Sequence, residues 1–346
     1  MVELDDVDRR SFSKLEPNFE MLNGQSPKEC RPWALRCVIG KCLYQKGTSV
    51  VDLHQGNRRQ LLASSAGVAM ALVVRPVPSA VKSEDLTFVI VSDTHLGRKD
   101  NRTAEKQWRQ AINEINQHSA EFVLHLGDIV DGGRAAQYPV YVETRGHLKK
   151  PIFEIPGNHD PLDLFHKHVA AETDRVIDRG NVRFLLFNNA HCDSHNGFIT
   201  AQQLKWLEQQ MTDAAAKAMG ILLCCHVPVH SNKHPDRGWY VKPADGQAGF
   251  YDLLSRFSDR VIACLHGHFH NGIRGWQDHG TIESLVPSVC YNQDRGLAKH
   301  LASGAAQGFF VDELRPGYLL ATIREGQFAM RYKPLGEAAI PASLPK

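Results

Sequence analysis

The chain has 346 residues, of which 42% are hydrophobic and 23% charged, and its formal net charge is +2. This composition is typical of a globular protein, and the length allows one large domain or two smaller ones. No basic stretch interleaved with aromatic residues occurs, which excludes a surface that coats nucleic acid. The eight cysteines contain no CxxC pair, so a disulfide framework is not expected.

A boundary lies between residues 57 and 80, where the composition changes abruptly. Arg58 and Arg59 precede an apolar run at 61–74, which is followed by prolines and small residues. The run is shorter than the roughly 20 residues of a spanning helix, and its flanks are typical of a signal peptide. The paired arginines resemble a twin-arginine export signal; the alternative is a buried core helix. We predict export to the periplasm or the cell exterior by the twin-arginine machinery, with no stable membrane span after cleavage.

These boundaries divide the chain into four parts. Residues 1–50 are predicted to be an unstructured leader or a mis-assigned start, and residues 51–80 are the predicted signal peptide. Residues 81–335 are predicted to form one globular domain, and residues 336–346 are a C-terminal tail.

Strand-like and helix-like patterns alternate after residue 81. Apolar runs predict strands at 86–92, 122–126, 151–155, 183–187, 221–225 and 261–265. Helical spacing places four apolar side chains on one face of a helix over 101–118. These residues are Trp108, Ala111, Ile112 and Ile115.

A second long helix is predicted after Thr200, because Thr200 and Gln203 have the spacing of a capping box. The end of the domain, 308–333, is predicted to form antiparallel strands with turns at Pro316-Gly317 and Glu325-Gly326. Strands that alternate with helices, followed by a β-rich end, indicate a layered α/β domain.

Five predicted strands end in side chains that can bind a metal ion. These residues are Asp93 and His95, Asp128 and Asp131, Asn158 and His159, His226, and His268 and His270. In an extended chain, residues two apart point the same way, so each Asp-x-His or His-x-His pair can share one target. Open α/β sheets build their sites at the carboxyl ends of strands. We therefore expect one site assembled from five strand ends.

The ligands in this set are imidazoles, carboxylates and one carboxamide, without a thiolate. Such a set suits Zn, Mn or Fe and argues against a structural zinc site. The set is larger than one ion needs, so two divalent ions that share a carboxylate are predicted. Two ions about 3.5–4 Å apart can hold a bridging hydroxide and clamp a phosphoryl group for in-line displacement.

The order of these motifs resembles the calcineurin-like metallophosphoesterases. The motifs are Asp-x-His, Gly-Asp-x-x-Asp, Gly-Asn-His-Asp, a single His, and Gly-His-x-His, and they extend over residues 86–270. Five motifs in one order make the resemblance specific. It implies a four-layer α/β/β/α sandwich, in which two mixed β-sheets are flanked by helices, for the domain 81–335.

The resemblance also implies a role for each residue. The first ion would be held by Asp93, His95 and His270, Asp128 would bridge, and the second ion would be held by Asn158, His226 and His268. His159 would contact the substrate and Asp160 would polarise His159. The implied activity is hydrolysis of a phosphate ester by a hydroxide that bridges two metal ions.

Two departures from the protein phosphatases of this family bear on the substrate. Those enzymes carry Arg and Glu where this chain has Gly132 and Asp160. A phosphoprotein substrate is therefore disfavoured, and a small phosphodiester or nucleotide-like substrate is favoured, as in the phosphodiesterase-type branch. A phosphomonoesterase, a nucleotide pyrophosphatase and a non-catalytic binding scaffold remain alternatives. Trp239 and Tyr240, in a long loop at 227–249, are predicted to shape the substrate site.

Several neighbours of the predicted ligands have a simpler interpretation. Asp131 is predicted to orient a ligand rather than to bind metal. His125 and His266 are each one position away from the motif residues and are expected to form hydrogen bonds within the core. His230 and His234 lie in a loop and are expected to be exposed.

Overall fold

The computed structural model describes residues 48–50, 70–79, 81, 84–98, 102–231, 238–278, 281–292 and 315–336. These ranges all lie in one unit, Gln45–Lys346. The paired arginines, most of the predicted leader and signal peptide, His234 and the predicted tail after residue 336 lie outside the described residues.

The described residues form thirteen strands and five α-helices. The strands are β1 (Thr48–Val50), β2 (Met70–Pro76), β3 (Leu86–Val91), β4 (Val123–His125), β5 (Ile152–Glu154), β6 (Arg175–Arg179), β7 (Val182–Leu186), β8 (Gly220–Cys224), β9 (Val261–His266), β10 (Arg274–Asp278), β11 (Thr281–Leu285), β12 (Gly317–Arg324) and β13 (Gln327–Pro334). The helices are α1 (Arg102–Ile115), α2 (Tyr138–Arg145), α3 (Leu162–His168), α4 (Ala201–Ala216) and α5 (Gln247–Arg256). Short 3-10 turns occur at Ala135–Gln137 and Pro243–Asp245.

The strands form two mixed sheets. The first has the order β1-β2-β13-β12-β3-β4-β5, and the second has the order β10-β11-β9-β8-β7-β6. In the first sheet β3, β4 and β5 are parallel, whereas β12 and β13 run antiparallel to their neighbours. In the second sheet β7, β8, β9 and β11 are parallel. The parallel strands of each sheet therefore direct their carboxyl ends to one edge, where the motif residues lie.

The two sheets pack face to face around a shared core. Phe88, Phe122 and Phe184 meet there with ring centroids 5.1–5.3 Å apart. Along β3, Phe88 lies in this inner core, whereas Val89 faces the helices on the outer side. Because the strand is buried on both faces, it is a continuous apolar run rather than an alternating one.

Helices cover the outer face of each sheet. Residues of α1, α2 and α3 pack on the first sheet, and residues of α4 and α5 pack on the second. The result is the α/β/β/α order of layers, and the predicted four-layer sandwich is confirmed.

The two helices predicted from pattern are confirmed, with small differences at their ends. All four apolar residues predicted on one face of α1 are buried in the same cluster. The helix ends at Ile115, three residues before the predicted end, because the N–H groups of Gln117 and His118 donate to the i−3 carbonyls instead of the i−4 carbonyls. Thr200 caps α4 through the predicted capping box with Gln203.

The first sheet extends to the N-terminal side of residue 81. Strand β2 (Met70–Pro76), which lies within the predicted signal peptide, pairs antiparallel with β13. The pairing runs from Gln327↔Pro76 to Arg331↔Leu72. The sheet thus includes residues that the sequence analysis placed before the domain. Among the described residues, none of the helices has both the length and the apolar character needed to cross a bilayer.

Candidate metal centre

Most of the predicted ligands have an unusual backbone conformation. Seven non-glycine residues in the described part of the chain have positive φ, and five of them are predicted ligands. These are Asp93 (56°), His95 (45°), Asp128 (54°), His268 (76°) and His270 (51°). A left-handed residue that carries a Cβ is disfavoured by about 1–2 kcal/mol. Such conformations concentrate at functional sites, where the surrounding fold over-determines them.

The glycines that precede the ligands allow backbones to approach each other closely. A Cβ on Gly157 would lie 2.2 Å from Asp128 Oδ1, and a Cβ on Gly127 would lie 2.7 Å from His226 Nδ1. Only a residue without a side chain fits at these two positions. The Gly-Asp and Gly-Asn pairs of the motifs therefore have a steric cause.

The first group of potential ligand atoms comes from Asp93, His95, Asp128 and His270. All four side chains are buried, and the ligand atoms lie within 4.8 Å of one another. His270 Nε2 is 2.9 Å from Asp93 Oδ1, and His95 Nε2 is 3.4 Å from Asp128 Oδ2.

The hydrogen bonds of the two imidazoles determine which ring nitrogens face the centre. His270 Nδ1–H donates to the carbonyl oxygen of Tyr291 at 3.0 Å, and His95 Nδ1–H donates to Asp131 Oδ1 at 3.1 Å. Each neutral ring then presents an unprotonated Nε2, and these two nitrogens are 3.0 Å apart. Two lone pairs and two carboxylates that converge in a buried site repel one another unless a cation lies between them. The geometry fits a divalent ion.

The second group comes from Asp128, His226 and His268, whose ligand atoms also lie within 4.8 Å of one another. His226 Nδ1–H donates to the carbonyl oxygen of Leu126 at 2.7 Å, which directs Nε2 towards Asp128 Oδ2, 3.3 Å away. Asn158 Oδ1 and His226 Nε2 are buried without a hydrogen-bond partner. Buried polar atoms are normally paired, so these two are suited to an ion.

A single carboxylate oxygen connects the two groups. Asp128 Oδ2 faces both His95 and His226, at 3.4 and 3.3 Å. The other oxygen, Oδ1, accepts a hydrogen bond from the His159 N–H at 2.9 Å. The two groups thus form one centre with a shared Asp128.

The pKa values report the strong negative potential of this centre. Burial by itself raises the pKa of Asp93, but the imidazoles of His270 and His226 offset this and hold it well below its usual range. Burial by itself lowers the pKa of His226, whereas the charges of Asp128 and Asp93 raise it to about 9. The carboxylates remain ionised in a buried site and attract positive charge, as a cation site requires.

His159 lies at the mouth of the centre. Its Nδ1 accepts a hydrogen bond from the Gly132 N–H at 3.2 Å, so its Nε2 carries the proton of the neutral ring. The ring packs edge-on against His95 with centroids 4.7 Å apart and is about one-third exposed. In this position Nε2–H can donate to a molecule bound at the centre.

The carboxylate beside His159 is Asp131, 3.8 Å from Nδ1, and not Asp160. The turn at 157–160 folds the Asp160 side chain back under the loop. There it accepts hydrogen bonds from the backbone N–H groups of Gly157, Ile129 and Val130. Burial raises the pKa of Asp160 to about 6, and these N–H groups counteract the rise. Asp160 thus joins the loops after β4 and β5, and the prediction that it polarises His159 is wrong in this geometry.

The neighbouring residues follow the sequence analysis with one exception. Asp131 orients His95, as expected, and His125 Nε2 pairs with the Thr94 hydroxyl at 3.1 Å. His266 bonds within the core to Glu283, at 3.1 Å. His230 was expected to be exposed but is buried at 7% exposure, because its N–H donates to the buried Glu283 carboxylate.

Glu283 closes a buried hydrogen-bond chain behind the second group of ligands. Its other oxygen accepts from the Tyr251 hydroxyl at 2.8 Å, and His266 Nδ1 is 3.3 Å from Cys225 Sγ. Cys225 directly precedes ligand His226, and His266 lies two residues before His268. The chain of hydrogen bonds stabilises the ends of β8 and β9 from which these ligands project.

The two aromatic residues predicted to contact substrate differ in location. Trp239 lies beside His268, with ring centroids 5.3 Å apart. Tyr240 instead has the ammonium group of Lys242 over its ring, at 3.4 Å. Only the first of the two lies against a predicted ligand.

Sequence reasoning missed His195 and Tyr291. The carbonyl oxygen of His195 accepts from His268 Nε2–H at 3.0 Å, and that of Tyr291 accepts from His270. The ring of Tyr291 lies against His270, with centroids 4.2 Å apart, and the Arg98 guanidinium lies over the Tyr291 ring at 3.7 Å. Neither residue belongs to a strand-end motif, so no local pattern could have identified them.

The fold and the centre define a class of protein. A four-layer sandwich whose strand ends carry two buried ligand groups, joined by one carboxylate and made only of N and O donors, is suited to divalent ions and hydrolytic chemistry. Residues 86–272 match the family described as calcineurin-like phosphoesterase, which is more than half of the chain. The chain belongs to this family and is a hydrolase of phosphoester bonds.

Curated relatives are phosphodiesterases of bacterial origin. The chain is 26% identical over 219 residues to the glycerophosphodiester phosphodiesterase GpdQ of Enterobacter lignolyticus, covering 58% of this chain and 76% of that protein. It is 28% identical over 261 residues to a cAMP/cGMP dual specificity phosphodiesterase of Mycobacterium tuberculosis, covering 69% and 79%. It is 23% identical over 240 residues to the 3',5'-cyclic adenosine monophosphate phosphodiesterase CpdA of Escherichia coli K12, covering 66% and 82%.

Solved structures share the fold. A dimetal phosphatase from Danio rerio has a TM-score of 0.54 at 15% identity and covers 72% of this chain and 94% of its own. The purple acid phosphatase PPD1 from yellow lupin has a TM-score of 0.53 at 13% identity and covers 74% and 52%. At these identities the likeness shows the fold alone.

Proposed function

We propose that the chain is a phosphodiesterase that uses two divalent ions. Asp93, His95 and His270 would hold the first ion, and Asn158, His226 and His268 would hold the second. Asp128 would contribute to both. The observation that carries this proposal is the position of Asp128 Oδ2 between the imidazoles of both groups, at 3.4 and 3.3 Å. The N and O donors suit Mn, Fe or Zn.

The chemistry divides between the ions and the chain. When bound, two ions of this kind supply a hydroxide nucleophile and neutralise the charge of the phosphoryl oxygens. The buried ligand groups would fix the position and orientation of the phosphate at the centre. His159 presents Nε2–H at the mouth and would donate a hydrogen bond from it to the ester oxygen that leaves or to a phosphoryl oxygen.

A phosphodiester substrate is supported by the relatives and by two residues of this chain. Relatives that match over two-thirds or more of their own length act on glycerophosphodiesters or cyclic nucleotides. Gly132 and Asp160 occupy the positions where protein phosphatases of the family carry Arg and Glu. Gly132 has open space around its Cα, so this side of the mouth has room for a second ester substituent.

The test is a panel of substrates with matched reconstitution. Metal-free protein is loaded with Mn, Zn or Fe, its metal content is measured, and its hydrolysis of a diester, a monoester and a pyrophosphate is compared. We expect about two ions per chain and the highest kcat/KM on the diester, with both lost in Asp128→Ala. A higher kcat/KM on the monoester or the pyrophosphate would replace the proposed substrate, and two ions with full turnover in Asp128→Ala would refute its bridging role.

Export by the twin-arginine route is a separate proposal, supported by Arg58, Arg59 and the apolar run at 61–74. This route carries folded proteins, which suits a centre assembled from five strand ends before transport. Cleavage near residue 80 would remove β2 from the first sheet, so the mature N-terminus is informative. Replacement of both arginines by lysine is expected to retain the protein in the cytoplasm, and unchanged secretion would exclude the route.

A further inference from the structure

The ring of the predicted ligand His268 is held by a backbone group of a distant loop. Its Nε2–H donates to the carbonyl oxygen of His195 at 3.0 Å, across 73 residues of chain. A carbonyl can only accept, so the proton is on Nε2 and the lone pair of Nδ1 is left for an ion. The side chain of His195 is thereby positioned at the edge of the metal centre.

Three aromatic rings are stacked between the core and the solvent at this edge. Phe269 is buried, and its ring is nearly parallel to that of Trp239, with centroids 6.3 Å apart. Trp239 is half-buried and stacks on His195 at 4.1 Å and 17°. The imidazole of His195 is exposed, and its centroid is 6.0 Å from that of His268. The exposed His195 ring therefore lies one ring away from the predicted ligand His268.

The opposite side of the centre is arranged differently. Tyr291 holds His270 with its carbonyl oxygen, as His195 holds His268, and its ring also lies beside the ligand. The Tyr291 ring, however, has the guanidinium of Arg98 over it at 3.7 Å. An ester substituent of a bound phosphodiester would thus lie near a cation on the His270 side and near an aromatic ring on the His268 side.

We propose that His195 and Trp239, stacked on Phe269, bind a planar group of the substrate, such as a nucleobase, that is joined to the phosphate at the metal centre. The inference rests on the proposed phosphodiesterase function and adds a preference between substituents. The His195 ring is 6.0 Å from the His268 ring, centroid to centroid. The ester substituent of a phosphoryl group bound beside His268 would therefore be able to reach the His195 ring. Aromatic side chains, histidine included, stack with any base because every base has a π face. The preference is therefore for base-bearing over aliphatic esters, and not for one base.

The test compares a base-bearing diester with an aliphatic one. Adenosine 3',5'-cyclic phosphate and glycerophosphoethanolamine are assayed with metal-loaded protein, and the monoester product of each is measured. His195→Ala removes the ring but keeps the carbonyl that holds His268, and Trp239→Leu removes the support beneath it. We expect both variants to raise KM for the cyclic nucleotide about tenfold, with kcat and metal content retained. For the aliphatic diester we expect a change of less than about twofold.

Two further variants separate binding from structure. His195→Phe keeps a planar face and is expected to restore the KM for the cyclic nucleotide. His191→Ala removes another exposed histidine of the same loop, whose ring meets Phe198 at 5.1 Å, and is expected to change neither substrate. An equal loss on both diesters, or a loss of metal in His195→Ala, would overturn the proposal, because the stack would then only support His268.

Failure of this inference is distinguishable from failure of the proposed function. Wild-type protein that hydrolyses neither diester but does hydrolyse a monoester refutes both. If wild-type protein hydrolyses both diesters and the variants keep the wild-type KM for the cyclic nucleotide, only the role of the aromatic stack is refuted. Activity confined to the aliphatic diester refutes the same role. If only the cyclic nucleotide is hydrolysed, inhibition of that reaction by adenosine monophosphate is compared with inhibition by glycerol phosphate. The proposal then requires that His195→Ala weakens the binding of adenosine monophosphate and leaves the binding of glycerol phosphate unchanged.

Discussion

The substitution Gly157→Ala tests whether close packing of two loops positions the shared carboxylate. The added methyl would lie 2.2 Å from Asp128 Oδ1 and 2.3 Å from Asp128 N. Carbon atoms in contact are about 3.5–4.0 Å from their neighbours, so the carboxylate or the loop that carries Asn158 must move by about 1 Å or more. A misplacement of this size lowers the rate about 100-fold. We expect that loss in kcat/KM, together with reduced metal content.

Gly132→Ala is the matched control, because it isolates backbone strain from the steric effect. Gly132 has φ of +71°, and a Cβ added to it would meet nothing within 4 Å, whereas Gly157 is outside the left-handed region. Gly132→Ala is expected to lower the free energy of unfolding by about 1–2 kcal/mol and to retain both ions. The assays are metal analysis, kcat/KM on a diester and thermal unfolding of metal-free protein. Two ions and wild-type turnover in Gly157→Ala would refute the reasoning.

Three more predictions concern side chains. His159→Ala is expected to keep both ions and to lower kcat about 10²–10⁴-fold, most for esters with poor leaving groups; loss of metal would instead make His159 a ligand. Asp131→Ala removes the hydrogen bond that orients His95 and should weaken metal binding about 10–100-fold by calorimetry; unchanged affinity would exclude that role. Burial and nearby lysines lower the pKa of His118 to about 4, against 6.5 unperturbed, so the unfolded state binds more protons between these values. The free energy of unfolding, measured with urea, should therefore fall as pH falls from 6.5 to 4. The fall should be smaller in His118→Gln and should equal that of wild type in the exposed control His147→Gln. An equal fall in wild type and His118→Gln would contradict this.

The cluster of candidate ligands and the class of fold were predictable from the sequence because each leaves a short pattern of residue types in the chain. The β3 strand is an apolar run because both its faces are buried, and α1 has its apolar residues at helical spacing because one face packs on a sheet. The motif glycines precede Asp128 and Asn158 because the backbones there approach too closely for a Cβ. Each of these constraints fixes residue types within a short stretch and therefore leaves a pattern in the chain, although the contacts that cause it are long-range.

The partners of the ligands were decided by the tertiary structure. His95 and His270 are 175 residues apart in the chain, yet their Nε2 atoms are 3.0 Å apart. The same holds for His195, whose carbonyl holds His268, and for Asp160, whose carboxylate bonds backbone N–H groups of another loop. A backbone carbonyl carries no residue type, and the direction of a side chain at a turn depends on what packs beneath it. The order of residues therefore predicts the chemistry of the centre. Its hydrogen bonds and the aromatic stack of His195, Trp239 and Phe269 arise only when the two sheets pack together.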